Sequence, residues 1–136
     1  MNEDRGSIRV IYVEPGMYAR ETEIGLELKD LQNAVRGPME VFYPFDEAVC
    51  IVCNEEGKIN GMKLNRAVFG DDGKIMDVIA GPFFICGSGE EDFISLTDDQ
   101  MKRYLEVFKR PEKIQIMGGN IVVTLYDPVK ESVQER

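Results

Sequence analysis

Histidine is absent from all 136 residues of this chain. Its absence removes Ser-His and Cys-His dyads and any imidazole general base, leaving only lysine or carboxylate chemistry open. Long apolar runs are missing as well. No segment approaches the ~18 apolar residues that read as a membrane span. The first residues, Met1 to Gly6, show neither the basic start nor the apolar stretch of a secretory leader, so the expected location is the cytoplasm. Positive charge is scarce: 16 basic residues face 25 acidic ones, for a formal net charge of -9. A nucleic-acid ligand would need a basic patch to overcome that balance. The one grouping, Lys102, Arg103, Lys109 and Arg110, falls on a predicted helix and its end, where cations favour the helix dipole. Direct nucleic-acid binding is therefore not expected. The cysteines number three, an odd count in apolar surroundings, which suits reduced core thiols better than a disulfide framework.

What is present fits one ordinary globular domain. Hydrophobic residues make up 43% and charged residues 30% of the chain, and its length is that of a single core. Ile8 to Val13 reads as a first strand. A helix is predicted from about Thr22 to Arg36, because Ile24, Leu28, Leu31 and Val35 recur at helical spacing and Gly37-Pro38 would stop it. Gly25 weakens the start of that pattern. Met39 to Tyr43 is a strand, and Ala48 to Cys53 is apolar throughout, as in a central strand buried on both faces. Asn54 to Gly57 is turn-forming, with Lys58 to Met62 as a return strand. Leu64 to Phe69 and Lys74 to Ile79 flank the turn Gly70 to Gly73, and Phe83 to Cys86 follows. Gly87 to Ser95 reads as a surface loop. Thr97 and Gln100 form a capping box for a second helix, with Met101, Tyr104, Leu105 and Phe108 as its apolar stripe and Pro111 as its stop. Lys113 to Met117 and Ile121 to Tyr126 make a hairpin across Gly118 to Asn120. The polar stretch 127–136 is a tail beyond an ordered core of about 7–126. Two amphipathic helices among seven or eight short strands, not alternating, predict an α+β domain with a mostly antiparallel sheet.

Several site chemistries fail on geometry. Cys50 and Cys53 match C-x-x-C, but positions three apart on a strand point to opposite faces. They can neither pair nor share one metal, and zinc would need two further ligands. Ser88 sits between glycines without a nucleophile-elbow pattern. Glu90, Glu91 and Asp92 follow it and would repel a phosphate. Asp71, Asp72 and Asp77 lack the register of a calcium loop. No metal, cofactor or catalytic residue is assigned. What remains is Asn54, Glu55, Glu56, Asn60, Asn65 and Arg66. Arg66 offers a planar five-donor fork, and the asparagines both donate and accept. Asn54, Asn65 and Arg66 could clamp an anionic or nucleotide-like ligand. Alternatively, Arg66 pairs with Glu55 or Glu56 and pins the loop.

Several ordered motifs carry a family resemblance. They are Tyr12 to Gly16, Val52 to Lys58, Leu64 to Ala67, Ile79 to Gly87 and Phe93 to Gln100. Together they resemble domain of unknown function 3846, small proteins of Firmicutes, their conjugative elements and phages, over about Ile8 to Glu112. The polar elements Asn54 to Lys58 and Asn65-Arg66 stand intact, whereas Pro82 replaces a threonine and removes one backbone donor. The resemblance implies a bacterial or mobile-element origin and no particular reaction. A non-enzymatic accessory protein that binds another protein is the leading expectation. A small-molecule module centred on Asn54, Asn65 and Arg66, with Glu55 and Glu56 beside it, is the alternative.

Overall fold

Alternation on the central strands organises the fold. In the computed structural model, which describes residues 6–128, β1 (Ser7–Val13), β4 (Val49–Asn54) and β7 (Phe83–Ser88) lie side by side. Each is buried on both faces. Ile11, Val13, Val49, Ile51, Phe83 and Ile85 pack to one side; Ile8, Val10, Cys50, Val52, Phe84 and Cys86 pack to the other. Apolar runs such as Val49 to Cys53 are what a strand needs when neither face meets water. With β2 (Arg20–Gly25), β3 (Met39–Phe42) and the two-residue β8 (Phe93–Ile94), they form a six-stranded antiparallel sheet in the order β2-β1-β7-β4-β3, with β8 on β7.

Each face has its own cover. The helix α1 (Leu28–Val35) buries Leu31 and Val35 against one side. The other side receives α2 (Asp98–Phe108), which buries Met101, Tyr104 and Phe108, together with Val68 and Ile79 from a separate hairpin of β5 (Leu64–Phe69) and β6 (Ile75–Ala80). The predicted capping box is present: the Thr97 hydroxyl accepts from the Gln100 amide at 3.1 Å, and the Gln100 side chain accepts from the Thr97 amide at 2.9 Å. A further hairpin, β9 (Glu112–Met117) and β10 (Asn120–Leu125), ends the described chain. The architecture is α+β and mostly antiparallel, as expected, with ten strands among the described residues where seven or eight were predicted.

Three expectations need correction. The predicted helix from Thr22 begins too early, since Arg20 to Gly25 pairs with β1 and α1 starts only at Leu28. Ile24 falls at helical spacing from Leu28 by coincidence, and Gly25 marks the true break. Lys58 to Met62 is not a return strand but a series of turns. Both edges of β4 are already taken by β3 and β7, so no edge is left for it. The stop predicted at Gly37-Pro38 acts one residue early, and its left-handed residue is not the glycine. Arg36 takes that conformation (φ 65°, ψ 37°), and the Gly37 amide donates to the Gln32 carbonyl. Of the expected tail, 129–136 lies outside the described residues. Among the described residues no helix is long and apolar enough to cross a membrane.

Candidate functional site

The polar residues singled out from the sequence occupy two separate hydrogen-bond networks. Asn54 ends β4 and is buried. Its Nδ2 donates to the carbonyls of Val35 (2.9 Å) and Arg36 (3.2 Å), closing the C-terminal end of α1. Its Oδ1 accepts from the Glu56 amide at 2.7 Å, which folds the turn back on itself. Such local side-chain bonds explain an asparagine at the start of a turn. Glu55 and Glu56 are exposed, and so is Asn60. Gly57 is buried against the β6–β7 connection, where an added Cβ would lie 2.6 Å from the Ala80 carbonyl oxygen. Only glycine fits so close to backbone. Lys58 reaches Asp77 on β6 at 2.8 Å.

Asn65 and Arg66 are wholly buried at the start of β5. Asn65 Nδ2 donates to the Val13 carbonyl at the end of β1 (3.0 Å) and to the Gly81 carbonyl before β7 (2.8 Å). Its Oδ1 accepts from Arg66 Nη1 at 2.9 Å. The rest of the guanidinium reaches two more elements. Nε donates to the Phe108 carbonyl at the end of α2 (3.1 Å), and Nη2 donates to the Met17 carbonyl in the β1–β2 loop (2.7 Å). Burial lowers the Arg66 pKa, opposed by the carboxylate of Glu112. Glu112, raised in turn by its own burial, accepts from the Ala67 amide at 2.7 Å. The sequence left two roles open for Arg66, a ligand clamp or a pair with Glu55 or Glu56. Its donors instead meet main-chain carbonyls and Asn65, because β5 enters the core rather than following the turn.

The polar motifs therefore do not converge. A cleft of about 300 Å³ contains Asn54, Glu55, Lys58 and Asp77 among its lining, but neither Asn65 nor Arg66. The cysteines behave as core residues. Cys53 faces the α2 side and Cys50 the α1 side, as strand alternation requires. Burial pushes the Cys53 thiol up to about 11. Cys50 lies opposite Cys86 on β7 with the sulfurs 3.8 Å apart, a neighbour that spacing along the chain could not reveal. The hydrogen bond to Cys50, and then burial, raises the Cys86 thiol. Among the described residues no group of three or more histidine, cysteine, aspartate or glutamate side chains is arranged to hold a metal ion.

With this geometry in view, the family match covers the motifs just described. The sequence matches the family described as domain of unknown function (DUF3846) over residues 8–109. The chain belongs to that family. No curated protein and no solved structure matches it. The matched span of this DUF3846 protein takes in the central sheet and both helices and stops before the β9–β10 hairpin.

Two surface features escaped the sequence reading. The first is a cleft of about 380 Å³ between the start of α1, β3 and the β7–β8 connection. Leu26, Leu28, Leu31, Met39, Tyr43 and Phe93 supply its apolar lining, and Glu90, Glu91 and Asp92 stand on one wall. Leu28 and Tyr43 are 59% and 62% exposed. The three carboxylates were visible in the sequence as a loop. Apart from Phe93, which adjoins them, their apolar counterparts come from segments distant in the sequence and gave no local signal. The second is a charged cluster around Glu47, which accepts from Arg103 at 3.0 and 3.3 Å, from Gln100 at 3.2 Å and from the Tyr104 hydroxyl. Hydrogen bonds from Arg103 and then Tyr104 hold the Glu47 carboxyl at about 2, and burial followed by Glu47 pushes the Tyr104 hydroxyl up to about 12. This cluster ties the loop before β4 to α2.

Proposed function

We propose that this chain is a non-enzymatic accessory protein of a bacterial mobile element or phage, acting in the cytoplasm by binding a protein partner. The cleft between α1, β3 and the β7–β8 connection carries the reading. Its apolar floor suits a large apolar side chain, and the carboxylates on its wall favour lysine or arginine beside that anchor. The net charge of -9 extends that preference over longer range. A small-molecule reading has less support, since the donors of Asn54, Asn65 and Arg66 are directed at main-chain carbonyls and each other.

Selection from a random peptide display library tests this reading. Recovered peptides should share an apolar residue flanked by lysine or arginine. Their binding should weaken with added salt and drop at least tenfold in the Glu90→Lys/Glu91→Lys double variant. Peptides lacking that pattern, or binding unaffected by the double variant, would overturn the proposal.

A further inference from the structure

The β9–β10 hairpin departs from the charge habits of the rest of the chain. From Ile114 to Leu125 there is no charged residue, in a protein whose residues are 30% charged. Among the described residues β10 pairs only with β9, which leaves its outer edge unpaired by them. Free edges in natural proteins normally carry lysine, proline or another charge that blocks further pairing. Among the described residues the other edge strands longer than two residues all carry charge: β2 holds Arg20, Glu21 and Glu23, β3 Glu40, β5 Arg66, β6 Asp77, and β9 Glu112 and Lys113. β10, Asn-Ile-Val-Val-Thr-Leu, holds none of these.

The ribbon has one apolar face and one mixed face, the latter carrying Lys113, Gln115, Asn120 and Thr124 beside Met117 and Val122. The register sets Ile116 opposite Ile121 and Ile114 opposite Val123 on one face, and Val122 opposite Gln115 on the other. The first face is only partly seated. Clefts of about 360 and 370 Å³ remain beside it, one against Phe69 and Val107, the other against Met76. Ile116 stays 72% exposed, Met117 55% and Leu125 51%. With Ile121, Val122, Phe69, Met76 and Val107, these side chains leave the apolar surface around the ribbon partly exposed. A two-stranded ribbon is itself marginal in water until a further strand or a cover is added.

We infer that β10 pairs edge to edge with β10 of a second copy of this chain, antiparallel about a two-fold axis, giving a four-stranded ribbon. Two features favour a second copy over other occupants. A strand paired antiparallel with itself presents the same donors and acceptors from both sides, so the contact is self-complementary and closes at two. Two molecules of charge -9 repel, and a charge-free segment is where they can meet at least cost. A basic partner would be drawn to the acidic surface instead, and an anionic bilayer would repel the chain.

Sedimentation equilibrium of the full chain over a concentration series, with hydrogen exchange at the β10 amides, tests the inference. The wild type should reach twice its monomer mass, with β10 protection that rises with concentration. Added salt should tighten the association by screening the mutual repulsion, the reverse of its effect on peptide binding at the cleft. Val122→Lys and Thr124→Lys, both on the half-exposed face of the strand, should each raise the dimer dissociation constant at least tenfold without altering the far-ultraviolet circular dichroism. Glu23→Lys on β2 should leave it unchanged. A monomer at every concentration, open-ended higher oligomers, or a dimer indifferent to both lysine variants would overturn the inference.

Discussion

Replacing Arg66 with methionine should remove about a fifth or more of the stability of this domain. Methionine keeps most of the volume but none of the donors, so the Phe108 and Met17 carbonyls and Asn65 Oδ1 each lose a charged partner at 2.7 to 3.1 Å. Hydrogen bonds to charged groups contribute ~1.5–3 kcal/mol each, or roughly 4–9 kcal/mol together. Against this stands relief from burying a guanidinium, several kcal/mol in a fully desolvated site. The net expectation is a loss of about 3–4 kcal/mol, from a total that for single domains is ~5–15 kcal/mol. Urea unfolding followed by circular dichroism should show a lower midpoint at an unchanged slope, and melting should fall by roughly 12–16 °C at about 4 °C per kcal/mol. The loss should be specific to this buried position. Arg20→Met, which breaks an exposed pair with Glu14 at 2.8 Å, should cost under about 1 kcal/mol. Glu112 supplies a second check, because without Arg66 its buried carboxylate loses a compensating cation. Adding Glu112→Gln to Arg66→Met should therefore cost less than Glu112→Gln alone in the wild type. A loss below about 1 kcal/mol, or one no larger than for Arg20→Met, would refute the role assigned to Arg66.

Two further substitutions probe the other joints. Gly57→Ala places a Cβ against the Ala80 carbonyl oxygen and should cost about 1–3 kcal/mol by overpacking, whereas exposed Glu55→Ala should stay within ~0.5 kcal/mol; equal urea midpoints for the two would remove the close-approach argument. Glu47→Gln tests the charged cluster on α2 through pH. The folded carboxyl, near 2, lies below its ordinary 4.5, so its stabilisation is complete above about 4.5 and is lost as pH falls toward 2. Wild type should exceed the variant by about 1 kcal/mol at neutral pH, and the gap should close near pH 2. A gap constant across that range would show that Glu47 acts by shape rather than charge.

The parts of the fold that were legible in the sequence are those decided locally. The capping box at Thr97, the stripe from Met101 to Phe108 and the doubly buried strand around Ile51 each leave a pattern within a dozen residues. The C-x-x-C motif could be dismissed for the same reason, since strand alternation alone separates Cys50 from Cys53. What could not be read depends on who the neighbours are. Arg20 to Gly25 is a strand because β1 offers it an edge, and Lys58 to Met62 is not one because β3 and β7 have filled both edges of β4. Asn54 and Arg66 show the same limit at the level of chemistry. Their types announced hydrogen bonding, but only the fold says whether the partner is a ligand, a carboxylate or a main-chain carbonyl.

The placement of these polar residues has a physical logic that apolar packing could not supply. The β5–β6 hairpin lies against the main sheet without a strand ladder joining them. Apolar contacts through Val68 and Ile79 would hold it there but would tolerate sliding, because hydrophobic burial is non-directional. Asn65 and Arg66 remove that freedom. Between them they bond β1, the β1–β2 loop, the β6–β7 connection and α2 at fixed angles, and a guanidinium can do so because its donors lie in one rigid plane. Asn54 and Gly57 fix the neighbouring turn in the same manner, one through the end of α1 and the other through contact with Ala80. The motifs by which this chain resembles its family are thus joints between elements. The recognition proposed for this chain would then fall to surfaces outside those joints, the acidic-walled cleft and the charge-free edge of β10.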